Sequence, residues 1–389
     1  MMKPVKIGCL ALIALFFSIV VISRLSKAPD MRKASSGAFR DKSAKQIPRT
    51  LRDALSQFEK YGLFYDKDIA QKISDAKTLN AYLMRMDPAA EYLEPAYYSA
   101  FVDSHKDNYV GVGMEIEKAE TGKIICFPYP DSPAFSNGVE SGDMLASVDG
   151  EKVSGLPIYV IASKIMGLKD TKVTISIVKK NGGRKILQLT RKYITTSSVT
   201  IEPKSDFSII KINSFSNGTK RDLKFALEEL KGSAPIILDL RDNPGGNLYK
   251  AIDSAMLFLG NGLKIVTIHS RHGTKTYKST TPAFNSKSPI YIWQNKNTAS
   301  AAEVFIAALT ENGRAASIGE KSYGKGITQD VFELNDGSAI VFTTGYLLTP
   351  KGNNYHRKGL RPTYRLTRGR LTTNDYVIKT KVLLATAHL

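Results

Sequence analysis

Cysteine and histidine are both scarce in this sequence, and their scarcity excludes several classes of protein. The two cysteines, Cys9 and Cys126, lie far apart among 389 residues and cannot build a disulfide framework. We therefore expect no disulfide. The five histidines form no recognisable arrangement, and the patterns His-Glu-x-x-His and Gly-x-Ser-x-Gly are both absent. Nothing in the sequence therefore predicts a metal site, a cofactor or a nucleophile activated by histidine.

Acidic residues are also few relative to basic ones. The chain has 55 Lys and Arg against 36 Asp and Glu, which gives a net charge of +19 spread along its length. Such a surface favours anionic partners, either lipid headgroups or nucleic acid, although a solvated basic surface without a partner explains it equally well. The length leaves room for two or three globular domains.

One long apolar run stands at the N-terminus. Residues 7–23 carry no charge and are preceded by Lys3 and Lys6 and followed by Arg24. The run spans about 26 Å as a helix, slightly short of the roughly 30 Å hydrocarbon core. We interpret residues 1–27 as a signal anchor, with a cleaved signal peptide as the alternative, and residues 28–48 as a flexible basic linker. Both predict an exported chain, periplasmic or otherwise extracytoplasmic and held at the inner membrane.

The middle of the chain has two different patterns. Residues 49–97 contain two stretches with apolar residues at helical spacing, "LRDALSQFEKYGL" and "ISDAKTLNAYLMRM". Residues 98–190 show period-two strands, glycine turns and one short helical run, "PIYVIASKIM". This second stretch resembles a PDZ domain in "SPA" (132–134), "GDMLASVDG" (142–150) and the turn Gly111, Val112, Gly113 and Met114. The resemblance implies that this turn binds a peptide's terminal carboxylate; an ordinary hairpin is the alternative.

Strands and helices alternate in residues 191–389, which predicts an α/β sheet with its chemistry where strands turn into helices. The first such turn, "DLRDNPGGN" (239–247), has two adjacent glycines, Gly245 and Gly246. Adjacent glycines let backbone N–H groups converge on an oxyanion or a phosphate. A tight connection without a ligand explains them equally well.

The second turn places Ser300 between a strand and a helix. Because Glu303 follows three residues later, the pair fits a capping box, which requires no further function. A serine at such a corner also has an exposed hydroxyl beside helix N-terminal amides, as a nucleophile requires.

The base for such a serine is a lysine, since no histidine is suitably placed. Lys325 lies between Gly324 and Gly326 in "GEKSYGKGITQ". Its pKa must fall by about 3.4 units to make it half neutral at pH 7, which burial can supply. The flanking glycines let other backbone segments pass close enough to enclose it, and Gln329 has the reach to orient its amine.

Taken together, the motifs resemble the carboxyl-terminal processing peptidases, or tail-specific proteases, a family of Ser–Lys enzymes with a PDZ domain. The resemblance runs from "LMRMDPAAEYLEP" through "LDLRDNPGG", "TASAAE" and "GEKSYGKGITQ" to "DGSAIVFTTGYLLTPKG". It implies a crotonase-like α/β core with an inserted PDZ domain. Ser300 is then the nucleophile, Lys325 the general base and Gln329 the residue that positions the lysine, while the oxyanion hole comes from backbone N–H groups of Gly245 or Gly246 and of Ala301.

The chain departs from the family's pattern in "MDPAA", in "GLRPT" and at Ala302, which bears on local packing more than on catalysis. The expected partners are protein substrates with unstructured C-termini and a membrane; nucleic acid is not expected, and a homo-oligomer or an adaptor stays open. Two alternatives belong to other classes. One is a nucleotide-binding P-loop in "GEKSYGK", which lacks the following Ser or Thr and the following helix. The other is a catalytically silent, membrane-tethered PDZ scaffold.

Overall fold

The computed structural model describes residues 49–67, 79–104, 109–119, 121–129, 132–194, 199–230, 234–284, 288–367, 369 and 371–386. The predicted anchor and basic linker lie outside these residues. Within the described ranges, no helix is both long enough and apolar enough to cross a membrane.

The described part of the N-terminal segment is mainly helical, as predicted. Ala54 and Phe58 lie four residues apart on one face of the first helix, and both are fully buried. They pack with Leu83 against Phe342, far along the chain. The segment therefore shares a hydrophobic core with the C-terminal part of the molecule. Its elements are α1 (Arg49–Tyr61), α2 (Leu79–Met86), β1 (Glu91–Leu93) and α3 (Pro95–Ser104).

Residues 109–194 form a β-rich unit, called here the inserted domain. Its elements are β2 (Tyr109–Gly111), β3 (Met114–Lys118), β4 (Ile124–Pro128), α4 (Pro133–Ser136), β5 (Asp143–Val148), β6 (Glu151–Lys152), α5 (Ile158–Ile165), β7 (Lys172–Val178), β8 (Arg184–Thr190) and β9 (Lys192–Ile194). The antiparallel sheet has the order β3-β4-β5-β7-β8, with β6 on β5, so β3 lies at an edge. The predicted strands and short helix are confirmed. The first and last strands of the inserted domain, β2 and β9, pair with each other.

The rest of the chain alternates strands and helices, as the sequence predicts. Its elements are β10 (Val199–Pro203), β11 (Ser208–Ile212), α6 (Thr219–Glu229), β12 (Ile236–Asp239), α7 (Leu248–Ala255), β13 (Lys264–Ser270), β14 (Gly273–Lys278), β15 (Ile290–Gln294), α8 (Ala301–Glu311), β16 (Ala316–Gly319), β17 (Ile327–Glu333), β18 (Ala339–Leu348), β19 (Tyr364–Arg365) and α9 (Thr373–Thr386).

Six of these strands form a mainly parallel sheet of order β10-β11-β12-β15-β16-β19. All four residues of β12 are buried, as expected for a parallel strand covered on both faces. β12 and β15 are parallel neighbours, with Asp239 opposite Trp293. Their carboxyl ends therefore lie side by side, and the two turns singled out in the sequence, 240–247 and 295–300, meet at one edge of the sheet.

A second, antiparallel sheet has the order β1-β18-β13-β14, with β17 also paired to β18. Strands β17 and β18 agree with the sequence-based prediction and exclude the P-loop, because the segment after Lys325 enters a strand rather than a helix. The hairpin of β13 and β14 was not predicted. β14 is exposed along most of its length, so it lacks the apolar alternation by which a strand is recognised.

Candidate active site

Ser300 occupies a strained turn between β15 and α8. Its backbone has φ 56° and ψ −121°, and residues other than glycine rarely adopt a positive φ. The preceding residue is held by a hydrogen bond from Ala299 N–H to the Asn243 carbonyl oxygen (3.0 Å). This bond ties the serine turn to the glycine turn of the neighbouring strand. The result is a serine at a sharp strand-to-helix corner, beside the N-terminus of α8.

The two glycines of the neighbouring turn pack directly against the serine turn. A Cβ atom on Gly245, whose φ is +112°, would lie 2.8 Å from Ser300 Cβ and 2.9 Å from the Ala301 nitrogen. A Cβ atom on Gly246 would lie 2.5 Å from the Phe215 carbonyl oxygen. Glycine is therefore required at both positions by close approach as well as by backbone conformation.

The two glycines differ in what their N–H groups do. Gly245 N–H donates to Asn243 Oδ1 (2.8 Å) and is thereby occupied within its own turn. Among the described residues, the N–H groups of Gly246 and Ala301 donate to no protein acceptor. Of the alternatives that the sequence left open, the geometry favours Gly246 with Ala301 as the pair of donors for an oxyanion.

Glu303 joins the serine turn to the lysine loop. Its side chain is fully buried in the first turn of α8. Oε2 accepts hydrogen bonds from the N–H groups of Ser300 (2.8 Å) and Lys325 (2.8 Å). Oε1 accepts from Gly324 N–H (2.7 Å) and from the Ser322 hydroxyl (2.6 Å). One carboxylate thus fixes the backbone at both predicted catalytic positions.

Burial raises the pKa of Glu303 to about 7, although its four hydrogen-bond donors act in the opposite direction. The sequence pointed to Glu303 only as the partner in a capping box, and its bond from Ser300 N–H is the carboxylate half of that box. The wider role had one signal in the sequence: a carboxylate inside the otherwise apolar helix "AAEVFIAAL" requires buried donors.

The glycines beside Lys325 serve the purpose that the sequence suggested. A Cβ atom on Gly324 would lie 2.7 Å from the nitrogen of Gly359, and one on Gly326 would lie 2.8 Å from the nitrogen of His356. The loop around residues 355–359 therefore passes directly over the lysine loop. Arg357 N–H donates to the Gly324 carbonyl oxygen (2.8 Å) and fixes the two loops together.

The side chain of Lys325 is held by the inserted domain. Its Nζ lies 2.8 Å from Oε1 of Glu117, on β3, whose side chain is 7% exposed. Burial acts to lower the pKa of Lys325, but the negative charges of Glu117 and Glu115 outweigh it, so the net pKa is raised. The side chain keeps 31% of its surface exposed, so water screens the pair in part. In this conformation Lys325 is a cation rather than a base.

Glu115 lies two residues before Glu117 on β3, so both carboxylates project from the same face of the strand. Burial, followed by repulsion from Glu117, raises the pKa of Glu115 to about 7. The sequence did not predict either acid at the site. In "MEIEK" the acids alternate with apolar residues, as they do in any strand with one solvated face.

Gln329 also has a partner other than the predicted one. It lies on β17, opposite Thr343 of β18, immediately after a register shift between Thr328 and Gln329. Its Nε2 donates to the carbonyl oxygen of Ala89 (2.9 Å), in the N-terminal segment. Lys325 and Gln329 thus make different hydrogen bonds in this conformation.

The predicted peptide-binding turn forms the start of the edge strand β3. Gly111 ends β2, Gly113 has φ +69°, and Val112 and Met114 are buried. Tyr129 N–H donates to the Gly113 carbonyl oxygen (2.9 Å). In an antiparallel pair this leaves the N–H of the next residue, Met114, directed away from β4 and towards the open edge of the sheet.

The chain is similar in sequence to several known proteins. Residues 206–366, which contain Ser300, Lys325 and Gln329, match the family model described as Peptidase family S41. Two proteins named probable CtpA-like serine proteases, from Staphylococcus haemolyticus and Staphylococcus epidermidis, are each 32% identical over 303 residues, or 77% of this chain. This chain spans 61% and 62% of their respective lengths.

A solved structure is similar over nearly its whole length. The photosystem II D1 C-terminal processing protease has a TM-score of 0.72 and 25% sequence identity to this chain, and the match covers 82% of this chain and 92% of that one. The D1 processing protease and this chain therefore share the fold of the α/β core and of the segments around it. On the family model, the curated relatives and this fold together, the chain belongs to peptidase family S41.

Proposed function

We propose that the chain is a serine endopeptidase that cleaves proteins near their C-termini, with Ser300 as nucleophile and Lys325 as general base. The observation that carries the proposal is the hydrogen-bonded unit around Glu303. It fixes a serine with strained backbone and the loop of a glycine-flanked lysine to the same carboxylate. A serine whose only function is to cap a helix requires neither the strain nor the lysine loop.

In the proposed mechanism, neutral Lys325 takes the proton from Ser300 Oγ as the oxygen attacks the scissile carbonyl carbon. The N–H groups of Gly246 and Ala301 stabilise the negative oxygen of the tetrahedral intermediate. The C–N bond then breaks, and the ammonium of Lys325 returns its proton to the leaving amine. Water then attacks the acyl-enzyme and gives a proton to neutral Lys325. The ammonium of Lys325 passes this proton to Ser300 Oγ as the ester bond breaks, which releases the new C-terminus and restores the serine hydroxyl.

The inserted domain is proposed to act as a PDZ domain that binds the substrate's C-terminal tail. Its open edge β3 suits the addition of an extended peptide, and Met114 N–H is directed to that edge. The same strand carries Glu117, the partner of Lys325. Tail binding along β3 is therefore coupled to release of the lysine, because both involve one strand. Residues 7–23 are proposed to export the chain and anchor it to the membrane.

The test is mass spectrometry of an unfolded protein with an apolar C-terminus, incubated with the wild-type chain and with its Ser300→Ala variant. Cleavage by the wild type alone supports the proposal. Equal cleavage in both samples assigns the activity to a contaminant and overturns it. If neither cleaves, and Glu117→Gln, which removes the partner of Lys325, does not cleave either although the tail peptide binds, the chain is a binding scaffold.

Tail recognition requires its own measurement. Fluorescence anisotropy with the Ser300→Ala variant compares one labelled apolar peptide with a free and with an amidated C-terminus. Capture of the carboxylate by the turn at Gly111–Met114 predicts clearly weaker binding of the amide. Equal affinities contradict a PDZ mode of recognition while leaving the peptidase assignment intact.

A further inference from the structure

We propose that Asp87, in the N-terminal segment, is a positioning residue that fixes the orientation of the Gln329 side chain. The inference rests on the proposed function, because it assigns Gln329 to the lysine of that site. It extends the functional machinery to a turn that lies more than two hundred positions before Gln329 and outside the part of the chain that matches the family model.

Asp87 is a buried carboxylate, with 1% of the residue's surface exposed. Its Oδ1 accepts a hydrogen bond from Ala89 N–H (3.0 Å), and its Oδ2 accepts one from Thr343 N–H (2.7 Å). The first bond closes the turn that follows α2, and the second fastens that turn to β18. Because a buried carboxylate is costly unless its oxygens receive donors, these bonds hold the turn in one place.

The turn that Asp87 holds in place provides a hydrogen-bond acceptor for Gln329 on β17. The Ala89 carbonyl oxygen accepts a hydrogen bond from Gln329 Nε2 (2.9 Å). Gln329 also lies opposite Thr343, the residue whose N–H donates to Asp87. Asp87 and Gln329 therefore both adjoin the same position of β18. Displacement of the turn moves the Ala89 carbonyl oxygen away from the amide.

The chemistry of the amide gives this contact its consequence. A carbonyl oxygen only accepts hydrogen bonds, so the NH₂ group of Gln329 must face Ala89. The amide oxygen, Oε1, is then the end that remains to accept a hydrogen bond from Lys325 Nζ once Glu117 releases it. If the amide were rotated by half a turn, its NH₂ group would face Lys325 Nζ. Gln329 could then not accept a hydrogen bond from the lysine.

The experiment is a double-mutant cycle of Asp87→Asn and Gln329→Ala, measured as kcat and KM for cleavage of one peptide. In the Asn variant an NH₂ group faces one of the two N–H donors, which displaces the turn. We expect kcat to fall by about 10²-fold in each single variant, with KM close to wild type. The double variant should be no slower than Gln329→Ala alone, because Asp87 acts through Gln329.

The matched control is Asp330→Asn. Asp330 follows Gln329 on β17, and its Oδ2 accepts a hydrogen bond from the Thr344 hydroxyl (2.7 Å), so it is also a carboxylate that joins β17 to β18. Its kcat should stay near wild type. If Asp87→Asn unfolds below the assay temperature, Asp87→Glu, which keeps the charge and displaces the turn by one methylene, replaces it in the cycle.

The proposal is overturned if the two losses multiply in the double variant, or if a folded Asp87 variant keeps wild-type kcat. Its failure is distinct from failure of the proposed function. In the latter case wild type and Ser300→Ala cleave equally, whereas here Ser300 remains essential and only the coupling between Asp87 and Gln329 is absent.

Discussion

Lys325 Nζ and Glu117 Oε1 are 2.8 Å apart, although the two residues belong to different parts of the molecule and lie 208 positions apart in sequence. The pair joins the loop after β16 to the edge strand of the inserted domain. The carboxylate of Glu117 stabilises the charged form of Lys325, whereas the proposed mechanism requires the neutral amine. The inserted domain and the proposed catalytic chemistry are therefore physically linked.

Substitution of Glu117 should therefore change the pH dependence of cleavage. Activity requires neutral Lys325, so kcat/KM rises with pH through the lysine's pKa. Glu117→Gln removes the nearer negative charge, and we expect this rise to move by about one unit to lower pH. Glu115 acts on Lys325 through its charge and makes no hydrogen bond to it. Glu115→Gln should therefore shift the midpoint of the rise by less than Glu117→Gln does. An unchanged or higher midpoint in Glu117→Gln contradicts the interpretation.

The second prediction concerns Glu303. Glu303→Gln replaces an acceptor of four hydrogen bonds by an amide whose NH₂ group faces two of the donors. We expect kcat to fall by about 10²-fold because the serine turn and the lysine loop lose their common support. Glu311→Gln is the control, since Glu311 lies in the last turn of the same helix and accepts from Lys351 N–H (2.7 Å). Equal effects of both variants would mean that α8 is merely destabilised.

The third prediction concerns stability and Glu91. Glu91 accepts from Ile158 N–H at the start of α5 (2.7 and 2.8 Å), and burial raises its pKa from 4.5 to about 7. A raised pKa means that the folded state binds the proton more tightly. Its contribution to stability is fully present below pH 4.5 and is lost as the pH rises through 7, with a slope of at most about 1.4 kcal/mol per pH unit.

Urea unfolding at several pH values between 5 and 8 measures this slope. Glu91→Gln, which keeps an acceptor for Ile158 but does not titrate, should reduce the fall in the free energy of unfolding across this range. Glu94→Gln, three residues further on and exposed, should leave it unchanged. A slope that Glu91→Gln leaves intact would assign the pH dependence to other groups.

The fourth prediction concerns Gly245. Gly245→Ala adds a Cβ atom 2.8 Å from Ser300 Cβ, so we expect a displaced serine and a loss of activity of at least about 10²-fold. Gly262→Ala is the control for backbone strain alone, because Gly262 also has a positive φ (+82°) but open space around the added atom. Thermal unfolding and kcat should separate the two, since both lose stability but only Gly245→Ala loses the site.

The fold class and the residues proposed for the site could be predicted from the sequence because both depend on local patterns. Buried parallel strands are continuous apolar runs, as in β12, and α8 begins at a serine followed by a carboxylate three residues later. The glycines beside Lys325 predicted a close approach of other backbone, and the loop around residues 355–359 supplies it. The exposed hairpin of β13 and β14 has no such pattern and was missed.

The serine, the lysine and the glycine turn could be predicted from local patterns, since each is encoded by residues that are adjacent in the chain. Their partners, in contrast, are set by the tertiary fold. Glu117 holds Lys325, Ala89 holds Gln329, and Gly245 N–H is occupied by Asn243. The first two contacts join residues more than two hundred positions apart, and the third depends on the detailed shape of a turn. Such contacts depend on how strands and loops pack in space, which no local pattern specifies.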